Sequence, residues 1–560
     1  MNSEKLVMKL GSSEKAFNKA FDELKKENII ERIWKKDHTV WSSDPTEITN
    51  RLGWLESPGT SLNAFEEIDQ FVKDVKKEGF TKVLLMGMGG SSLAPEVFSK
   101  VFRNAEGFPE LLVLDSTDPE AVAEYERKLS SEKTLFIVST KSGGTVETFS
   151  FMKFFYNQTF GHYGKTETGK RFVAITDPGS GLEKTAKDLN FRKIFLNDPN
   201  IGGRYSALSF FGIVPAALIG IDIKKLLQRA ADTSSVSKMS DSPAAKLGAA
   251  IGELANQRKD KLTFILSNEI ASFGAWVEQL IAESTGKNGK GILPVDGETV
   301  QSPEFYSDDR VFIYMHLKDD AKDSDAVKKL TEAGYPVVEI ILNDIYDLGE
   351  QYFIWELATA VAGWRLGIQP FDQPDVESAK VLAREMMKEY SEKGSLPEQK
   401  AIISEDEIKI FGDIKINSVD EALNVFLQNV REKSYVALQA YIKPDNENDK
   451  LLNELRMKIM KKYKMAVTAG YGPRFLHSTG QLHKGDAGNG LFIQFTSSAK
   501  NDIRIQDKPG ELSSSITFGI LKSAQAMGDK QALLNKGRKV LSIDFGNNVS
   551  VGLKRIIMSI

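Results

Sequence analysis

The chain has 560 residues, 41% of them hydrophobic and 27% charged, with no cysteine, five histidines and a formal net charge of −4. That length exceeds one core and points to roughly three or four domains. Without cysteine there are no disulfides, no thiolate catalysis and no cysteine-held zinc or iron–sulfur site, and the near-neutral charge lacks the broad basic footprint of a nucleic-acid-binding protein.

Five scattered histidines without an HExxH pattern leave little from which to build a metal site. The opening MNSEKLVMKLGSSEKAF mixes charge into every turn and has no secretory pattern. The most apolar stretch, Ser206 to Ile221, is interrupted by Pro215 and is shorter than the ~20 residues a bilayer requires. A soluble, cytoplasmic protein is expected, with no membrane or nucleic-acid partner.

In chain order, residues 1–50 read as a charged helical arm. An alternation follows: a strand in KVLLMGMG, a helix in SLAPEVFSKVF, strands in LLVLDST and TLFIVST, a helix in ETFSFMKFFYNQTF, and a strand in RFVAITD. Short buried strands alternating with helices imply a parallel sheet covered on both faces, hence an α/β fold. The Ser/Asp-rich ADTSSVSKMSDSPAA, 231–245, reads as a linker or exposed loop. A second α/β unit then carries strands in KLTFIL, VFIYMHL and YPVVEIIL; after PFDQPD and a charged helix, a third carries YVALQAYI, KMAVTAG, GLFIQFT and KVLSIDFG. The division expected is 1–50, 51–230, 231–400 and 401–560.

In open parallel sheets, ligands sit beyond the carboxyl ends of the strands. GMGGSS, 87–92, fails the G-x-G-x-x-G dinucleotide pattern because Ser92 occupies the last glycine position. The downstream Asp115 keeps a nucleotide reading open beside that of a plain tight turn. STKSGGTVET is more informative. Its glycines expose backbone N–H groups, Thr140, Ser142 and Thr145 add hydroxyls, Lys141 adds a charge, and the next helix aims its N-terminus at the same place. The G-x-x-x-x-G-K-[ST] order is missing, so the loop suits a phosphate monoester held as a handle, or else is an ordinary capped βα turn.

In SFGAWVEQLIAES, Phe273, Trp276, Val277, Leu280 and Ile281 repeat at helical spacing. Glu283 stands at the edge of that stripe, Glu278 lies across from it, Gln279 shares a face with Glu283, and Gly286 ends the helix. A carboxylate at the rim of an apolar surface can hold a raised pKa, which suits a general base, although a solvated helix-end glutamate fits the same pattern. Lys380 falls in the first turns of a helix, where a cation opposes the dipole. His316 reads as a core histidine within a strand, and the spacing of His477 and His483 does not suit a metal pair.

Together GMGGSSLAPEVF, STKSGGTVET, NIGGRYSALSFFGIVPAALIG, ESTGKNGKGILP and GIQPFDQPDVESAK resemble, in family order, the phosphoglucose isomerases of the sugar-isomerase fold. The resemblance implies two parallel-sheet sandwich domains of sugar-isomerase type, with a C-terminal α/β segment behind them. It implies a phosphate cradle of Thr140, Lys141, Ser142 and Thr145, with Gly90, Ser91 and Gln279 also at the sugar phosphate. Arg204 would steady an enediolate, Glu283 would be the base, and Lys380 would approach the ring oxygen. The family implies aldose–ketose isomerisation of glucose 6-phosphate and fructose 6-phosphate, no metal or redox cofactor, a sugar phosphate as partner, and a homodimer.

One departure stands out. Bacterial members carry LHS-x-GQ between the glutamate and lysine motifs, with a ring-opening histidine, whereas here FLHSTGQLHKG lies at 475–485. His477 is therefore expected as a displaced ring-opening residue, an arrangement resembling the isomerase part of transaldolase–phosphoglucose isomerase fusions. Two other classes share the fold. A non-catalytic sugar-phosphate sensor would lack the carboxylate, and an aminosugar-forming transferase would carry a glutaminase domain with an N-terminal cysteine.

Overall fold

The computed structural model describes residues 5–129 and 133–560. The N-terminal segment, expected as helical throughout, also holds a strand, β1 (Leu6–Lys9). The first sheet follows: β2 (Lys82–Met86), β3 (Glu110–Leu114), β4 (Thr134–Ser139), β5 (Phe172–Thr176) and β6 (Lys193–Leu196), all parallel, in the order β3-β2-β4-β5-β6. The last of these lies beyond the strands anticipated from sequence. Chain direction across the sheet reverses between β2 and β4, so the turns after those two strands flank the crevice where such sheets bind ligands. Those turns are GMGGSS and STKSGGT.

The second sheet is built from β7 (Lys261–Leu266), β8 (Leu293–Val295), β9 (Arg310–Leu317) and β10 (Val337–Leu342), in the order β1-β10-β9-β7-β8. Only β1 runs antiparallel, adding itself to the β10 edge through Leu6 opposite Ile340. The Leu348–Leu366 helix is buried around most of its circumference, in keeping with its lack of a polar face. It packs on the Pro243–Asn256 helix, where a side chain on Gly248 would collide with the Ala358 carbonyl. One continuous apolar core runs from the first sheet through these helices to the second.

The stretch 231–245 is not a linker. Helices Ile223–Val236 and Pro243–Asn256 meet across residues 237–242, with the Ser242 hydroxyl accepting from the Ala245 N–H and Pro243 opening the second helix. Asp232, Ser234 and Ser235 lie within the first of these helices, and Ser237, Ser240, Asp241 and Ser242 are its cap and turn residues before the second.

The third sheet comprises β11 (Ile403–Glu405), β12 (Ile408–Phe411), β13 (Tyr435–Tyr441), β14 (Ala466–Tyr471), β15 (Gly490–Thr496) and β18 (Lys539–Asp544), in the order β11-β12-β18-β15-β13-β14. A small hairpin of β16 (Arg504–Ile505) and β17 (Ile516–Thr517) precedes the Phe518–Asn535 helix. This unit has its own core, shared at one side with Phe312 and Tyr314 of β9, while Phe518 and Leu521 complete the apolar layer under the first sheet. The third unit is thus packed against both others. Among the described residues no helix is long and apolar enough to cross a membrane.

A buried ion pair fastens the third unit to the first. Lys522, on the Phe518–Asn535 helix, donates at 2.8 Å to Asp118, and both side chains are 3% exposed. The other oxygen of Asp118 caps the helix after β3 by accepting from Glu120 and Ala121. Removing the lysine strands a buried carboxylate, so Lys522→Ala should cost roughly 3–5 kcal/mol in denaturant unfolding, whereas Lys522→Met/Asp118→Asn should recover much of the loss.

Candidate functional site

A cavity of about 710 Å³ opens where the three units meet. Its floor is the two switch-point turns of the first sheet. Gly90 packs so closely on the next segment that a Cβ there would lie 2.0 Å from the Gly203 carbonyl oxygen, so the close approach requires glycine. Ser91 is buried and its carbonyl accepts from the Ser139 hydroxyl at 3.2 Å, tying the two turns together.

In the STKSGGT turn, the Thr140 and Thr145 hydroxyls lie 2.9 Å apart, and the Ser142 hydroxyl accepts from the Gly144 N–H. Gly143 has a φ of +64°, which lets the turn fold back against Gly181. The Lys141 ammonium is not free. It is paired with Asp177 and donates to the Pro199 carbonyl at 3.0 Å. Its charge, expected to face the ligand, is largely matched by the protein.

Arg204 is 5% exposed. Its Nε donates to the Ser284 hydroxyl at 2.8 Å, and its Nη2 donates to the Pro370 and Asp372 carbonyls at 2.7 and 3.0 Å. Its Nη1 faces Gln373 and, at 3.5 Å, the Oε1 of Glu283. A plain surface ion pair for Arg204 is thereby ruled out. Lys287, fully buried, donates to the Asp372 carbonyl and carboxylate at 2.7 and 2.6 Å, holding the segment that Arg204 grips. Burial first, then the neighbouring Arg204, push the Lys287 ammonium down to about 8.

Glu283 lies on the Phe273–Thr285 helix, 7% exposed, with its carboxylate at the cavity wall. Gln279, one turn earlier, donates to the Glu283 Oε2 at 3.1 Å and also to the His477 carbonyl at 2.8 Å. His477, on the short turn Arg474–His477 after β14, lines the same cavity of the same chain. Its Nε2 is 3.0 Å from the Oε1 of Glu147. Lys380 also lines the cavity, with its ammonium partly exposed and only 3.9 Å from Glu377. Every expected site residue thus lines the one cavity, but Lys141 and Arg204 are already held by protein partners and His477 is paired with Glu147.

Glu147 was not singled out from sequence, where it reads as an ordinary first-turn acid. Burial opposes its charge, but His477 outweighs that and keeps its carboxyl low. Gln525 adds a hydrogen bond at 2.6 Å. Glu278, expected across from the apolar stripe, meets the histidine turn there, 3.4 Å from the Ser478 hydroxyl. Burial, then Asp296, raise its carboxyl to about 8 despite Arg474 and Arg456. His316 is the core histidine expected, stacked on Tyr314 at 4.3 Å, and His483 is buried among Phe475 and Phe492.

Residues 66–302 match the family model for phosphoglucose isomerase. Over 382 residues the chain is 30% identical to the glucose-6-phosphate isomerase of Staphylococcus aureus strain Mu3, covering 59% of this chain and 85% of that one. The chain belongs to the glucose-6-phosphate isomerase family. A probable glucose-6-phosphate isomerase of Methanococcus maripaludis is 29% identical, covering 61% of this chain and 85% of its own length. The fold is also that of a glucose-6-phosphate isomerase structure from Chlamydia trachomatis, at a TM-score of 0.59 and 18% identity over 70% of this chain and 90% of that one. The family-model match stops before Lys380 and His477, so it bears on the first two units alone.

The raised Glu278 carboxyl has a stability consequence. From about pH 4.5 to 8 the folded state holds a proton that the unfolded state has lost, so stability falls as pH rises through that window. Glu278→Gln removes this slope. The variant should melt a few degrees above wild type at pH 9 and level with it at pH 5, as followed by thermal unfolding.

Proposed function

We propose that the chain interconverts glucose 6-phosphate and fructose 6-phosphate by moving one proton between C2 and C1 through a cis-enediol. The observation that carries this reading is one side chain: Gln279, which bonds both the Glu283 carboxylate and the His477 carbonyl. A general base and a second proton carrier are thereby held in register around one cavity, with a hydroxyl-rich loop at its floor.

In this reading the phosphate is the handle. Backbone N–H groups of the 140–145 turn and the hydroxyls of Thr140, Ser142 and Thr145 take its oxygens, while the Lys141–Asp177 pair holds the turn rigid. Gly90 and Ser91 lie along the sugar. His477, its imidazole oriented by Glu147, and Lys380 assist ring opening by proton exchange at the ring oxygen and the anomeric hydroxyl. Glu283 then removes the C2 proton and returns it to C1. Arg204, always charged, stabilises the oxygen on which negative charge develops, and its five donors are already directed before substrate arrives. Holding the substrate at its phosphate converts binding energy into correct placement of the reacting carbons. A homodimer and a cytoplasmic location go with this proposal.

The test is fructose 6-phosphate conversion coupled to glucose-6-phosphate dehydrogenase. Glu283→Gln should lower kcat by about 10²–10⁴-fold with little change in KM, as expected for loss of a general base. Wild-type protein that binds sugar phosphate without converting it would replace the reading with a sensor. His477→Ala should slow conversion of the cyclic sugar far more than proton exchange on an open-chain sugar phosphate. Full activity in that variant would remove His477 from the mechanism.

A further inference from the structure

The ring-opening histidine belongs to the third unit, whereas the phosphate turn and the base belong to the first and second, so something must fix its place relative to them. The turn that carries it is pinned by two adjacent side chains directed oppositely. Phe475 is buried within its own unit, edge-on to Tyr441 at 5.5 Å and against His483 at 6.0 Å. Arg474 instead crosses to the first unit. Its Nη2 pairs with Glu96 on the Leu93–Phe102 helix, and its Nη1 lies 3.0 Å from Asp115, which follows β3.

That socket lies behind the cavity floor and is tied to it. Asp115 is also 3.4 Å from the hydroxyl of Ser92, in the GMGGSS turn, and Glu96 is held from its other side by Lys100 at 2.7 Å. Three residues beyond Arg474, the His477 carbonyl and Cβ lie 2.8 and 3.0 Å from where a Cβ on Gly89 would stand, so the histidine rests on that same turn. Ser478, just after it, faces Glu278. A guanidinium forked between two carboxylates resists both rotation and translation, which a single lysine contact does not.

We infer that Arg474 is a positioning residue for the reaction: its plug into the Glu96–Asp115 socket sets the imidazole of His477 against the substrate ring. This rests on the proposed ring-opening role of His477. Burial works against ionisation of Glu96, yet Arg474 and Lys100 hold its carboxyl low, and the two acids in turn hold the guanidinium charged against burial. Burial pushes the Asp115 carboxyl up despite Arg474, with Glu96 adding to the rise, so Glu96 is the stronger anchor of the two.

The experiment compares full-length Arg474→Gln, Arg474→Lys, Glu96→Gln and His477→Ala on two substrates, with folding checked by melting. One is cyclic glucose 6-phosphate. The other is 4,5-dideoxyglucose 6-phosphate, which keeps the spacing from phosphate to C2 but has no hydroxyl with which to close a furanose or pyranose ring, followed by solvent deuterium exchange at C2. Displacing a catalytic group by about 1 Å can cost around 10²-fold. For Arg474→Gln and Glu96→Gln the expected result is a fall in kcat of at least about tenfold on the cyclic sugar. KM should stay within about twofold of wild type, as should exchange on the open-chain dideoxy sugar, since phosphate binding and the base are untouched. Arg474→Lys should recover part of the loss. Cyclic-sugar turnover near wild type in Glu96→Gln and Arg474→Gln, or equal losses on both substrates, would overturn the inference. If His477→Ala itself fails to separate the two substrates, the ring-opening reading has failed. If His477→Ala separates them and the Arg474 variants do not, only the clamp has failed.

Discussion

A guanidinium taken out of water must find an oxygen for each of its N–H groups, and the rest of this site is arranged to supply them to Arg204. The Ser284 hydroxyl comes from the Phe273–Thr285 helix of the second unit, and two carbonyls come from the Pro370–Asp372 segment. Gly90 and Gly203 must touch for Arg204 to enter from the first unit at all. Lys287 then holds Asp372 from behind. One buried cation therefore registers the first sheet against the second, and Glu283 inherits its position from that registration. The cost of burying charge is offset by a group whose N–H directions are fixed before any substrate binds.

The third unit closes the assembly by the same kind of interaction. Lys522 with Asp118, and Arg474 with Glu96 and Asp115, are ion pairs that cross from the third unit to the first. Exposed pairs would contribute little, but breaking a buried pair leaves an uncompensated charge, so such pairs select one docking geometry over near alternatives. Here the geometry selected places an imidazole from the C-terminal third beside a carboxylate from the middle of the chain.

Much of the fold was legible because its strands are short, β-branched and buried on both faces, and because the switch-point turns advertise themselves by glycine. That the 140–145 turn, Arg204, Glu283 and His477 belong to one cavity was legible from their motifs, the last from the displaced LHSTGQ. What stayed hidden depended on the partner across space. Glu147 is one acid in an acidic first turn until His477 packs on it, and the Lys141 charge looks free until Asp177 is seen. Glu278 stands across from the apolar stripe on a helical wheel and becomes half-buried only when the third unit covers that side of the helix. The 231–245 stretch misled through composition alone, although Ser242-Pro243 carries a helix-start signal. β1 was missed because a single edge strand in a charged arm has almost no periodic signature.

The central claim is that one chain completes the site, with the proposed base, Glu283, and the proposed ring-opening histidine, His477, in the same cavity. Its most direct test is complementation: Glu283→Gln and His477→Ala chains, each impaired on cyclic glucose 6-phosphate, are co-expressed and purified together. A site completed within one chain predicts no activity beyond the sum of the two variants, because neither chain holds an intact pair. Activity restored well above that sum would mean that the histidine serves a neighbouring subunit, contradicting the account.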